Sequence, residues 1–112
     1  MYIRTKDGVY DVDEIKPYFL DEKQKLFINN GLKIAVNEKQ VIKQSENLEE
    51  LCDRFVVMDK ETKEVMNIVS FLAYAKLWSS CKYNIFGAIW TDKGLIYVAK
   101  FNDKGDLELI WN

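Results

Sequence analysis

Ile85-Phe86-Gly87-Ala88-Ile89-Trp90-Thr91, then Asp92-Lys93-Gly94, then Leu95-Ile96-Tyr97-Val98-Ala99-Lys100-Phe101: this stretch decides the fold class of the chain. It continues through Asn102-Asp103-Lys104-Gly105 into Asp106-Leu107-Glu108-Leu109-Ile110-Trp111. Three runs of β-branched, aromatic and aliphatic residues are separated by two Asp-Lys-Gly units standing eleven residues apart. Each unit offers a glycine for the left-handed position of a bulged hairpin loop, so the run reads as a three-stranded antiparallel meander. Strict alternation places Phe86, Ala88 and Trp90 on one face of the first strand, opposite Ile85, Gly87 and Ile89. On the second strand it groups Leu95, Tyr97, Ala99 and Phe101, opposite Ile96, Val98 and Lys100. Both faces are apolar enough to be covered.

Upstream of the meander, Ile68, Phe71, Leu72, Ala75 and Trp78 recur at helical spacing. They predict a helix from Asn67 or Ser70 to about Ser80, with Val69, Ala73, Tyr74 and Leu77 widening its apolar stripe. A stripe that wide belongs either to a helix sandwiched in the core or to one meeting a second subunit. Earlier, Asn47 is a candidate cap with Glu50 at the capping-box position, and Leu48, Leu51, Cys52 and Phe55 fall on one helical face. Phe55-Val56-Val57-Met58 then reads as a strand, with Asp59 to Lys63 as a turn and Glu64-Val65-Met66 returning. Near the N-terminus, Tyr2 to Thr5 and Val9 to Val12 flank an Asp7-Gly8 turn and predict a hairpin. Phe19-Leu20 and Leu26-Phe27-Ile28 flank a charged run at Asp21 to Lys25, a candidate second hairpin. Leu32 to Val36 and Val41-Ile42-Lys43 read as further strands, and Pro17 excludes a helix interior or central strand around it. The expected architecture is a single α+β domain over residues 1–112. It has an antiparallel sheet or small barrel of short strands, two helices and the C-terminal meander.

Composition bounds the function. The chain has 112 residues, 48% of them hydrophobic and 30% charged, with a net charge of −2. It contains no histidine, which excludes a Ser-His-Asp triad, a Cys-His dyad and a His-ligated zinc within the chain. Cys52 and Cys81 are the only thiols, too few for a zinc site, so no metal, cofactor or catalytic set is assigned. Basic and acidic residues are interspersed and Arg4 and Arg54 are the only arginines, so no duplex nucleic-acid footprint is expected. The N-terminal residues carry no hydrophobic signal core, and Ile68 to Trp78 is too short to span a bilayer. A cytoplasmic protein without a membrane role is expected.

The candidate binding residues are Arg54, Trp78, Tyr83, Trp90, Tyr97 and Lys100. Aromatic residues concentrate in the C-terminal third, either as core or as a surface for a ligand or partner. In the ligand reading, a ring stacks on a base while Lys100 or Arg54 takes a phosphate. In the partner reading, the rings anchor a protein interface.

Three segments carry a resemblance: Ile3-Arg4-Thr5-Lys6-Asp7-Gly8-Val9-Tyr10, Asn47 to Val57, and Phe86 to Lys100 with Gly105 to Ile110. Together they resemble small phage and prophage proteins of Gram-positive bacteria. The resemblance covers about half the chain and rests on strand, turn and cap residues. It implies a bacterial cytoplasm and a phage context; with no histidine and abundant aromatics, the expected function is a non-enzymatic protein that antagonises a host process, by blocking a host protein or sequestering a small nucleotide signal. The alternatives are a housekeeping phage protein in replication or gene control, and a carboxylate-dependent hydrolase. The crowded apolar set between Ile68 and Trp78 adds the expectation of a homodimer.

Overall fold

The computed structural model describes residues 1–78 and 81–110. Among them lie eleven strands in three antiparallel sheets, one short α-helix and two 3-10 turns. The α+β expectation is therefore corrected to a mostly β fold, and no sheet closes into a barrel. The first sheet has β1 (Tyr2–Arg4) between β2 (Val9–Asp11) and β6 (Lys43–Ser45). The second has β4 (Asp21–Asn29) between β3 (Glu14–Tyr18) and β5 (Ile34–Asn37). The third has five strands in the order β11 (Leu107–Leu109), β10 (Gly94–Phe101), β9 (Tyr83–Thr91), β7 (Arg54–Asp59) and β8 (Val65–Val69).

The meander forms as its sequence predicts, β9 to β10 to β11, with Gly94 at φ +98° and Gly105 at φ +89° supplying the left-handed turn positions. The last strand is shorter than the expected Asp106 to Trp111: β11 covers Leu107–Leu109 and Ile110 is a bend, while Trp111 lies outside the described residues. The N-terminal hairpin also forms, with Ile3 opposite Tyr10 and the turn closed by Thr5 N–H donating to Gly8 O at 2.9 Å. In the candidate second hairpin, the charged run is strand and the apolar pair is the turn. Tyr18 faces Asp21 across Phe19-Leu20, and Asp21 to Asn29 extends as β4. Pro17 sits in β3, which pairs only with β4, so its missing N–H costs the ladder nothing on the open edge.

Both predicted helices are corrected. Asn47 does cap, accepting Glu49 N–H at 3.1 Å, but the result is a single 3-10 turn, Leu48–Leu51. In that turn, residues three apart share a side, so Leu48 and Leu51 both enter the core. Phe55 reaches the core from β7, and its helical spacing to Leu51 is a coincidence of two elements. Glu50 does not bond the cap backbone. It accepts the Ser45 hydroxyl, which in turn accepts Asn47 N–H. The second predicted helix splits. Ile68 and Val69 belong to β8, paired with Val56 and Phe55, and the α-helix α1 is only Leu72–Ala75. The predicted continuation at Ser79 and Ser80 lies outside the described residues. Strand pairing captured the β-branched half of the stripe, where Ile68 and Val69 fit a pleated surface better than a helix.

The hairpin β1–β2 serves two cores at once, because side chains alternate across a strand. Val9 packs with Leu48, Leu51, Ile89, Val98 and Leu109 on the five-stranded sheet, with Tyr2 against this group. Ile3 turns the other way, onto Phe27 and Val36 of the second sheet, with Tyr10 beside them. The first sheet is thus a middle layer. Layering in one direction explains the long shape, 50 × 28 × 21 Å. The radius of gyration is 15.5 Å, against about 13 Å for an equant chain of this size.

One polar cluster ties the middle layer to the large sheet. Arg4, on the same face as Val9, pairs with Asp53 just before β7. The other Asp53 oxygen accepts Trp90 N–H at 2.8 Å, and Asp53 N–H donates to Ala88 O at 2.8 Å. Removing the Asp53 carboxylate strands a largely buried guanidinium and a backbone N–H together. Asp53→Ala should lower unfolding free energy by about 2–4 kcal/mol in a denaturant titration. Asp53→Asn, which can still accept from Trp90, should lose less.

Candidate functional site

The two faces of the five-stranded sheet differ. The inner face carries Phe55, Val57, Ile85, Ile89, Val98 and Ala99, and it is covered by the 3-10 turn, α1 and the middle layer. Packing there is tight. A Cβ on Gly87 would stand 2.7 Å from Cys52 Sγ, so only glycine lets the thiol lie against β9. The outer face has no layer of described residues over it. On it lie Arg54, Ala88 and Tyr97 in one row across β7, β9 and β10, with Val56, Phe86 and Lys100 in the next.

Four of the six sequence-derived residues meet on this outer face: Arg54, Trp90, Tyr97 and Lys100. The Phe86 and Tyr97 rings stack at 4.8 Å and 13°, and Lys100 Nζ lies 6.0 Å from the Phe86 ring centre. Trp90 is 53% exposed and pairs with Leu95 at the end of the β9–β10 hairpin. Tyr97 and Lys100 share this face because of a bulge. The register shifts between Tyr97 and Ala99, so Val98 and Ala99 both turn inward and Lys100 turns outward. This corrects the strict alternation read from the sequence, which puts Tyr97 with Ala99 and Phe101 and separates it from Lys100. It also corrects the expectation that both faces are covered. Trp78 and Tyr83 are elsewhere. They meet edge to face at 5.0 Å and pack against the inner core beside Phe55 and Leu72.

The charges on the outer face are largely engaged. Arg54 Nη1 donates to Asp53 O at 2.7 Å. Lys100 stands opposite Glu108, whose carboxylate accepts Asn102 Nδ2 at 2.7 Å. A neighbouring open hollow of about 580 Å³ is lined by Lys60, Lys100, Asp103 and Glu108 among others, two cations against two carboxylates. Among the described residues no cluster of metal-ligating side chains occurs. No described helix is long and apolar enough to cross a membrane.

Sequence reasoning missed a second exposed feature. The tip of the β3–β4 hairpin is Phe19-Leu20, 82% and 70% exposed, with Tyr18 edge-on to Phe19 at 5.4 Å. Two-residue turns favour Gly, Asn or Asp, so an apolar pair there breaks local turn chemistry without any core contact to compensate. The signal in the sequence was an apolar dipeptide standing between two polar runs with strand alternation.

Comparison with family models, with curated proteins and with solved structures returns no match, so the reading of this face rests on its own chemistry.

The two thiols are both free, and they differ in chemistry. Burial, reinforced by the Asp53 carboxylate, pushes the Cys52 thiol up from 9.0 to about 12. Its Sγ lies 3.6 Å from Leu48 O, whereas Cys81 is exposed. A thiol reagent should therefore modify only Cys81 in the native protein at neutral pH, and Cys52 as well after denaturation; mass spectrometry reads the count. A folded-state value above the unfolded one stabilises fully below pH 9.0, and that contribution is lost as pH rises towards about 12. Stability should fall less steeply over this range in Cys52→Ala than in the wild type.

Proposed function

We propose that this chain is a non-enzymatic, phage-type binding protein that antagonises a host process by docking a host protein on the outer face of its five-stranded sheet. One observation carries the reading. A half-exposed tryptophan, its neighbour Leu95 and a stacked Phe86–Tyr97 pair lie on a sheet face that nothing described covers. Tryptophan and tyrosine on a flat, rigid strand platform are the side chains that dominate protein interfaces, because they bury much area at little entropy cost. The resemblance to phage proteins supports the host setting.

Two properties favour a protein over a nucleic acid or a small nucleotide. Single strands need a groove of free cations to follow the backbone. Here Arg54 is held by Asp53 O, Lys100 is offset by Glu108, and the chain as a whole is at −2. Small ligands need enclosure over most of their surface, and this face is open. The exposed Phe19-Leu20 tip adds a second apolar contact for a large partner.

Trp90→Asp places a charge on the outer face, at the hairpin end of β9, without touching the inner core. Immobilised wild-type protein should retain a host protein from bacterial lysate that Trp90→Asp fails to retain. With the purified partner the loss should reach about 2 kcal/mol, a ~30-fold rise in Kd. Identical capture by both proteins overturns the reading. So does a nucleotide or cyclic dinucleotide that raises the wild-type Tm and leaves that of Trp90→Asp unchanged.

A further inference from the structure

The turn between β4 and β5 holds Asn29-Asn30-Gly31-Leu32, and the fold treats its two asparagines oppositely. Asn29 is buried, and both ends of its amide are used. Its Nδ2 donates to Asp11 O at 3.0 Å, and its Oδ1 accepts Leu32 N–H at 2.8 Å. Asn30 is exposed. Its backbone N–H donates to Asp13 Oδ2 at 2.7 Å, which ties it to the segment before β3, but among the described residues nothing bonds its side-chain amide. Gly31 is exposed too, and no described group accepts its N–H. The backbone does not demand this glycine. Its φ lies outside the left-handed region, and a Cβ there would meet only Asn29 Oδ1, at 3.5 Å, an ordinary contact.

We propose that Asn30 is a site of spontaneous covalent modification, deamidating through a succinimide in the folded protein. Asparagine amides are among the thermolabile groups of proteins. The Gly31 nitrogen gives up its proton to hydroxide and attacks Asn30 Cγ. The bond from Cγ to Nδ2 breaks, and ammonia leaves with a proton taken from water. Water then opens the ring. Addition at Cγ restores the ordinary backbone with aspartate at position 30. Addition at the main-chain carbonyl leaves the Gly31 nitrogen on Cγ, an isoaspartyl link with one extra backbone carbon. In sum, one amide and one water become one carboxylate and one ammonium ion. The step needs an unhindered nucleophile and a backbone able to bring it onto Cγ. Glycine supplies both, with no Cβ beside the attacking nitrogen and the widest backbone freedom of any residue. The other described asparagines lack these conditions. Asn37, Asn47, Asn67 and Asn102 accept backbone N–H groups through Oδ1, and each of them, like Asn29 and Asn84, precedes a residue with a side chain. The site belongs to the second sheet, apart from the outer face proposed for a host protein.

Mass spectrometry tests this on the full chain, incubated folded in mildly alkaline buffer and digested with trypsin afterwards. Cleavage after Lys25 and Lys33 isolates the peptide of residues 26–33. That peptide should gain a heavier form in which NH has become O, with fragmentation placing the change at Asn30 and isoaspartate accompanying aspartate. The intact product should elute from an ion exchanger as the more acidic species. The yield should fall in mildly acidic buffer, because the attacking nitrogen must lose its proton. Gly31→Ala should stay unmodified over the same incubation with an unchanged circular dichroism spectrum, since the turn has room for the added Cβ. A native chain that keeps the Asn30 amide while the isolated peptide of residues 26–33 loses it overturns the proposal. So does equal modification of Gly31→Ala, or earlier conversion of any other described asparagine.

Discussion

The ion pair between Arg4 and Asp53 sets the arrangement of everything else. Asp53 spends one oxygen on the guanidinium of β1 and the other on Trp90 N–H of β9, while its own N–H closes the ladder to Ala88. One residue therefore fixes the start of β7, the register of β9 and the seat of the middle layer. A carboxylate satisfied on both oxygens is strongly directional, since each donor must arrive along its own line. The hydrophobic contacts of Val9 and Tyr2 with the large sheet supply area but little direction. The polar cluster supplies the direction.

Because the middle layer sits on the inner side of the large sheet, the outer side is left open. The inner side is packed so closely that Gly87 has no room for a side chain beside Cys52. Apolar residues of β7, β8, β9 and β10 that point outward have only one another for cover. Val56 and Ala88 are buried by their neighbours, while Trp90 and Ile68 remain about half exposed. A sheet with one closed and one open face usually puts polar residues on the open one. Here the open face is aromatic, and that departure from the usual pattern is what makes it a candidate interface.

Turn and strand chemistry was legible at both ends of the chain, because Asp-Gly and Asp-Lys-Gly act locally and need no tertiary partner. The cap at Asn47 was legible for the same reason, and the helix expected after it was not formed. Leu48, Leu51, Cys52 and Phe55 satisfy helical spacing through a 3-10 turn followed by a strand, and both arrangements turn these four residues towards the core, with Leu48, Leu51 and Phe55 buried and Cys52 half-buried. A short apolar run does not distinguish them by periodicity alone. The run from Ile68 to Trp78 failed similarly, because β7 offered a partner that the local sequence does not contain. The capping box that forms in the described turns, Asn37 with Gln40, lies instead between β5 and β6, in the 3-10 turn Glu38–Gln40.

By itself the sequence determined the meander, the N-terminal hairpin and the residue types that cluster near the C-terminus. Each of these depends on backbone preferences and alternation within a few residues. The tertiary structure decided which of the aromatic and basic residues share a surface. The bulge at Val98 brings Lys100 round to the side of Tyr97 and Phe86, and Trp78 and Tyr83 are drawn into the inner core. A one-residue slip reverses every side chain beyond it, and the slip is fixed by how β10 must meet Gly87, Leu109 and the layer behind them. Those constraints come from residues distant in the chain, so no local pattern carries them.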